Sequence, residues 1–325
     1  MNSTEPLLQD NKDRFVIFPV KHHDIWDWYK KMEACFWTAE EIDLNQDIND
    51  WNNKLSQDER FFLKHILTSL ASSERIKNKN PEQNFAAEVK YPEARFFFEF
   101  QAVMENIHSE TFSLLLNTCV QDDKEKDKLY NTVQSFPAIQ KKAEWALKWG
   151  GSDSFAERLI ALTALKGIFS SGAFCSIFWM KKRGLMPGLT FANELIARDE
   201  AMHGDFAIHL YNHHIVNKVS KQLIREIVLD AVKIEKEFFA TSLAVSQIGM
   251  NQKLMDQYLG FITDRLLTSL DCEKEFNTSN PFEFMDLGEQ QDKTRFFEKR
   301  AEEFQKTVIV NHEKDTNKIN FNAGF

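Results

Sequence analysis

Apolar side chains recur along this chain at the three- and four-residue spacing of helices buried on one face. Ser56-Gln57-Asp58-Glu59 reads as a capping box, and the helix it opens carries Leu63, Ile66, Leu67 and Leu70, then reaches Glu74 one turn later. Pro92 suits a first helical position. The helix expected from there to about Leu116 aligns Phe98, Gln101, Glu105, His108, Phe112 and Leu115 on one face. Asn117 to Gly151 is polar and lysine-rich, the pattern of a helical hairpin on the surface. Ser154 and Glu157 form a second capping box, opening a helix expected to run through Trp179. The segment from Gly184 to Gly188 breaks the pattern, and a helix starting near Thr190 carries Glu200 and His203. Two further amphipathic helices are expected over roughly Ser220 to Ser246 and Asn251 to Leu270.

Composition agrees with an all-α fold, since 11 Gly and 7 Pro in 325 residues are too few for a turn-rich β protein. A hydrophobic content of 43%, with 29 Phe, suffices for a large core. No low-complexity linker divides the helices, so one domain is expected over 15–290. It would be flanked by a flexible N-terminal tail, 1–14, and a polar C-terminal segment, 291–325. The net charge of −9 disfavours a nucleic-acid surface. The most apolar run, Gly167 to Met180, is interrupted by serines and too short to span a bilayer, so no membrane partner is expected. Cys35, Cys119, Cys175 and Cys272 lack metal-like spacing or a disulfide framework, and the polar start is unlike a signal peptide. A reducing, cytoplasmic location follows as the expectation. The adjacent pairs His22-His23 and His213-His214 point to opposite sides of any regular element and lack partner spacing, so surface placement is expected and not a metal site.

The chemistry concentrates in two Glu-x-x-His pairs. Glu105 and His108 lie one helical turn apart on an apolar face, where a carboxylate and an imidazole need partners. Glu200 and His203 repeat the spacing on another helix. Two such pairs, with one further carboxylate from each of two other helices, make a four-helix di-metal site. Glu74 is the candidate for one of those carboxylates. By the approximate repeat, the other belongs on the stripe Leu159, Leu162, Lys166, Phe169, Ala173, and the residue there is Lys166. Glu157, the nearest upstream acid, is roughly 13 Å away along a helix. An ammonium beside metal cations is repelled, whereas among carboxylates without metal it is well paired. Charge therefore favours an empty or single-metal site with Lys166 as internal counter-ion.

The stretches around these residues, FPVKHHDIWDWYKK, FWTAEEIDL, EARFFFEFQAVMENIHSE and KKRGLMPGLTFANELIARDEAMHGDFA, resemble the small subunit of class I ribonucleotide reductase from Phe15 onward. The resemblance implies a ferritin-like helical bundle and a role in reducing ribonucleotides to deoxyribonucleotides. It implies an iron cofactor for the family, and here none or a single metal ion. Implied partners are a large subunit, docked through a C-terminal tail ending at Phe325, and a second small subunit, either a competent one or another copy of this chain. Glu105, His108, Glu200 and His203 match four metal ligands, Glu74 stands where the family usually has Asp, and Lys166 replaces a ligand Glu. Trp37 and Asp199 match the internal radical relay. Phe112 stands in place of the radical-bearing Tyr and Phe304 in place of the relay Tyr of the tail, while Ser170 replaces a bulky aromatic of the radical pocket. With metal ligand, radical tyrosine and relay tyrosine lost, the resemblance implies an accessory subunit unable to form the radical itself. The alternatives are an active subunit with atypical or metal-free radical chemistry, and a ferritin-like metal-binding protein with no nucleotide role.

Overall fold

The computed structural model describes residues 5–10, 16–76 and 81–285, with the side chains of 72–76, 81–84 and 242 outside that description. Among the described residues the secondary structure is helical throughout, without a strand. In chain order the α-helices are α1 His23–Glu33, α2 Asn45–Asn53, α3 Gln57–Ile76, α4 Pro81–Glu88, α5 Pro92–Cys119 and α6 Asp123–Gln134. They continue as α7 Pro137–Gly150, α8 Phe155–Gly167, α9 Ser171–Lys182, α10 Pro187–His214, α11 Lys221–Glu237 and α12 Gln252–Ser269. Met1–Pro281 form one compact unit and Phe282 opens a second. Of the second unit only 282–285 are described.

The centre of the bundle is made by α5 and α8, which both pack on α10, with α3 against the far flank of α5. The apolar stripes foreseen on these helices point inward: Leu63, Ile66 and Leu67 of α3 and Leu159 and Leu162 of α8 are buried. Phe97 and Phe98 of α5 clamp Phe206 of α10, with ring centroids 3.6 and 5.3 Å apart. Each such ring contributes roughly 1.5–3 kcal/mol on burial.

Helix termini show where local signals hold and where distant groups take over. Ser56 and Glu59 form the expected box, with Glu59 N–H donating to Ser56 Oγ at 3.2 Å and Ser56 N–H to Glu59 Oε2 at 2.7 Å. At α8 only half of the second box forms. Glu157 N–H donates to Ser154 Oγ, but the Glu157 carboxylate instead accepts from the Ser152 hydroxyl at 2.7 Å. The helix expected from Ser154 through Trp179 is two helices, broken at Ile168–Ser170. There the Ser171 hydroxyl takes the Ile168 carbonyl at 2.8 Å, an alternative to the helical ladder. Gly172 then admits the Phe239 ring, which would lie 2.2 Å from a Cβ at that position. Phe155–Lys182 is long and apolar enough by composition to cross a membrane, but 83% of its most apolar window is buried in this protein's own core. The helix expected to reach Ser246 ends at Glu237 and passes into a π-helical turn, Phe238–Ser242.

α10 begins at Pro187, not near Thr190, because α2 caps it. Asp47 accepts the N–H groups of Gly188 and Leu189, both at 2.7 Å, and Asp50 accepts that of Met186 at 2.9 Å. Carboxylates at a helix N-terminus satisfy donors that have no intrahelical acceptor and complement the dipole. The tail expected over 1–14 is docked in part, since Leu7 is fully buried and its carbonyl accepts from Lys90 N–H at 2.8 Å.

Candidate functional site

α5, α8 and α10 bring Glu105, His108, Lys166, Glu200 and His203 into one buried cluster. Lys166 projects between the two glutamates, its Nζ 2.5 Å from Glu105 Oε1 and 3.1 Å from Glu200 Oε2. Gly204 on α10 leaves room for the lysine stem, since a Cβ there would meet Lys166 Cβ at 3.6 Å. His203 Nδ1 lies 2.9 Å from Glu105 Oε1, yet neither ring nitrogen is aligned for a hydrogen bond. The Gln101 amide, on the same face of α5, is also buried without an aligned partner.

A second chain of contacts leads outward from His108. Its Nε2 lies 3.1 Å from Asp199 Oδ2, and its Nδ1 3.4 Å from Glu200 Oε1. Asp199 Oδ2 also accepts the indole N–H of Trp37 at 2.8 Å, and the Trp37 and His108 rings stack at 5.9 Å. Arg198 grips the other oxygen of Asp199 at 2.7 Å and the Cys35 carbonyl at 2.9 Å, tying the segment before Trp37 to α10. The part played by Arg198 is absent from the sequence reading, although its place beside Asp199 was a visible signal.

Electrostatically the cluster is self-compensating. Burial pushes the His108 imidazole down, but hydrogen bonds to Asp199 and Glu200, with the Glu105 charge, carry it up to about 9. Burial and the Glu105 charge work against ionisation of Glu200, while Lys166 and the two histidines hold it well below the usual carboxylate range. Asp199 is held low against burial by His108 and Arg198. Lys166, Arg198 and the two histidines thus lie against Glu105, Glu200 and Asp199 as their charge partners.

The described side chains do not by themselves make up a dinuclear centre. Two cations need about four carboxylates to neutralise them. The described side chains supply Glu105 and Glu200, with an ammonium between them. One ion suits the donor set better, because single donor atoms from Glu105, Glu200 and His203 lie within 4.8 Å of one another. The poorly aligned nitrogens of His203 suit a ligand role. Such an ion requires Lys166 to move or lose its proton. Phe112 is buried one turn beyond His108 and offers no phenol. Ser170 is the N-cap of α9, at the break between α8 and α9. The Glu74 side chain, Phe304 and Phe325 lie outside the described residues.

Away from this cluster, His214 has a partner that the spacing of the His213-His214 pair does not suggest. With His209 it converges on Asp24, across a sequence separation that no local pattern reveals.

Comparison with known proteins places this geometry. A family profile described as ribonucleotide reductase, small chain, matches residues 14–281. The ribonucleoside-diphosphate reductase small chain of Neurospora crassa is 54% identical over 96% of this chain and 76% of its own length. That of Trypanosoma brucei brucei is 51% identical over 99% of this chain and 95% of its own. Among solved structures, the ribonucleotide reductase Rnr4 homodimer from Saccharomyces cerevisiae superposes with a TM-score of 0.80. It is 38% identical, with 92% of each chain covered. The dimanganese(II)-NrdF of Streptococcus sanguinis, 18% identical with a TM-score of 0.76, shares the fold.

Proposed function

The chain belongs to the ribonucleotide reductase small-chain family and is a small subunit of ribonucleoside-diphosphate reductase, and within that role we propose that it acts as an accessory subunit unable to form the radical itself. Its fold is accordingly the ferritin-like helical bundle, and its process the reduction of ribonucleotides to deoxyribonucleotides. The observation that carries the proposal is the Lys166 ammonium between Glu105 and Glu200, where it balances the carboxylates that two metal ions would need. Phe112 supports it from the other side, since a phenyl ring has no hydroxyl hydrogen to give up. The site would then hold at most one metal ion, on Glu105, Glu200 and His203. Such an ion supplies Lewis acidity when bound. The chain's own residues pair the charges of the pocket, orient His108 through Asp199, and exclude water by burial.

A small subunit works with a large subunit, and this chain is proposed to dock it through the tail that ends at Phe325. The proposed second partner is a competent small subunit. Supporting it is a surface cleft of about 470 Å³, with exposed Ile48 of α2 and Leu114 of α5 in its lining. The homodimer of yeast Rnr4 is a precedent for pairing of like chains. Four free, buried cysteines suit the cytoplasm as the proposed location.

The alternative, an active subunit with atypical radical chemistry, is favoured by one feature, the intact Trp37–Asp199–His108 chain. Reductase turnover separates the two readings. Activity is measured with the large subunit plus this chain, plus a competent small subunit, and plus both. The accessory role requires that the mixture exceed the competent subunit's own rate while this chain by itself gives none. Turnover and a tyrosyl radical signal from this chain by itself would overturn it.

A further inference from the structure

On the face where α1 starts and α10 ends, two imidazoles meet one carboxylate. Asp24 Oδ2 lies 2.8 Å from His209 Nε2 and 2.6 Å from His214 Nε2. We propose that Asp24, His209 and His214 form a surface site for one divalent cation of the zinc class, separate from the buried glutamate cluster. Donor type, convergence and rigidity carry the proposal, and it does not depend on the accessory reading.

Two imidazoles and a carboxylate, with further positions open to water, are a donor set that zinc, cobalt, nickel and copper prefer to magnesium or calcium. The three donor atoms lie within 4.8 Å of one another. Tetrahedral bonds of about 2.0–2.1 Å would set them roughly 3.3 Å apart. The two Asp24–histidine separations would widen by about 0.5–0.7 Å to admit an ion. The exposure is suited to exchange with solvent, 45% for the Asp24 side chain against 20% for His209 and 14% for His214.

The donors are held in place. Glu93 of α5, fully buried, accepts the backbone N–H groups of Lys21 at 2.9 Å and His22 at 3.3 Å, which fixes the entry to α1 and so the position of Asp24. The His22 ring stacks on Tyr91 at 3.8 Å and meets the His214 ring edge-on at 5.9 Å. Trp28 packs against His209 at 6.0 Å.

The test is zinc titration calorimetry on the full chain at pH 7.5. Cobalt absorption reports coordination, and circular dichroism confirms the fold of each variant. Asp24→Asn and His214→Gln should each weaken a one-equivalent isotherm by at least about tenfold. Glu105→Gln, which disables the buried cluster, should leave that isotherm in place. Absence of zinc binding by the native chain overturns the site and leaves an ordinary His–Asp–His hydrogen-bond cluster. Binding insensitive to Asp24 and His214, or abolished by Glu105→Gln, also overturns it by placing the ion elsewhere.

Discussion

Lys166→Met removes the ammonium while keeping most of the stem's volume, so that Glu105 and Glu200 face each other inside the bundle. At separations of 2.5 and 3.1 Å, each attraction is on the order of 5–7 kcal/mol at an effective dielectric of about 20, before desolvation. Burying the ammonium costs several kcal/mol, and a proton shared by the abandoned carboxylates limits the damage. The net loss expected is roughly 3–5 kcal/mol, the range for breaking a buried pair. Urea unfolding followed by circular dichroism at pH 8, with a chelator present, measures it. The same titration with manganese(II) at a hundred times its dissociation constant should return about 2.7 kcal/mol to the variant. The native chain should respond far less, because its own cation already sits between the acids. Equal stability of the two proteins in chelator would refute the counter-ion role. An equal manganese response would show that the ammonium does not govern metal entry.

Lys166→Glu should raise the iron bound per chain, read by elemental analysis; unchanged uptake would mean that another residue limits the site. Asp47→Ala strips two backbone N–H groups at the start of α10 of their acceptor. It should cost about 2–3 kcal/mol in denaturant unfolding, and a loss below about 0.5 kcal/mol would mean that those groups find other acceptors. Burial raises Glu235 to about 7 despite Lys142. Its ionisation is thus penalised in the folded state, and stability should fall by roughly 3 kcal/mol between about pH 4.5 and 7. Glu235→Gln should flatten that stretch of the stability curve, and an unaltered slope would exclude Glu235 as its source. His108, raised to about 9, contributes stability that is complete below about pH 6.5 and lost as pH rises through about 9. A flat curve over that window in Glu235→Gln protein would show that His108 is not held protonated.

The helical class, the inward stripes of α3, α5 and α8, and the pairs Glu105–His108 and Glu200–His203 were legible because each is written within one or two helical turns. The approximate repeat pointed to the stripe of α8 for a carboxylate and met Lys166 there, whose Nζ lies between Glu105 and Glu200. Distance along the chain hid the rest. Asp47 caps α10 from 141 residues away and Asp24 meets His209 across 185, while Trp37 and Asp199, 162 apart, were joined only by the family resemblance. The break between α8 and α9 depends on the hydroxyl of Ser171 and on the Phe239 ring arriving from another helix. Periodicity records which face of a helix avoids water and nothing about which partner covers it. Capping, charge balance and the Asp24 cluster all depend on that partner, so they exist only once the helices have packed.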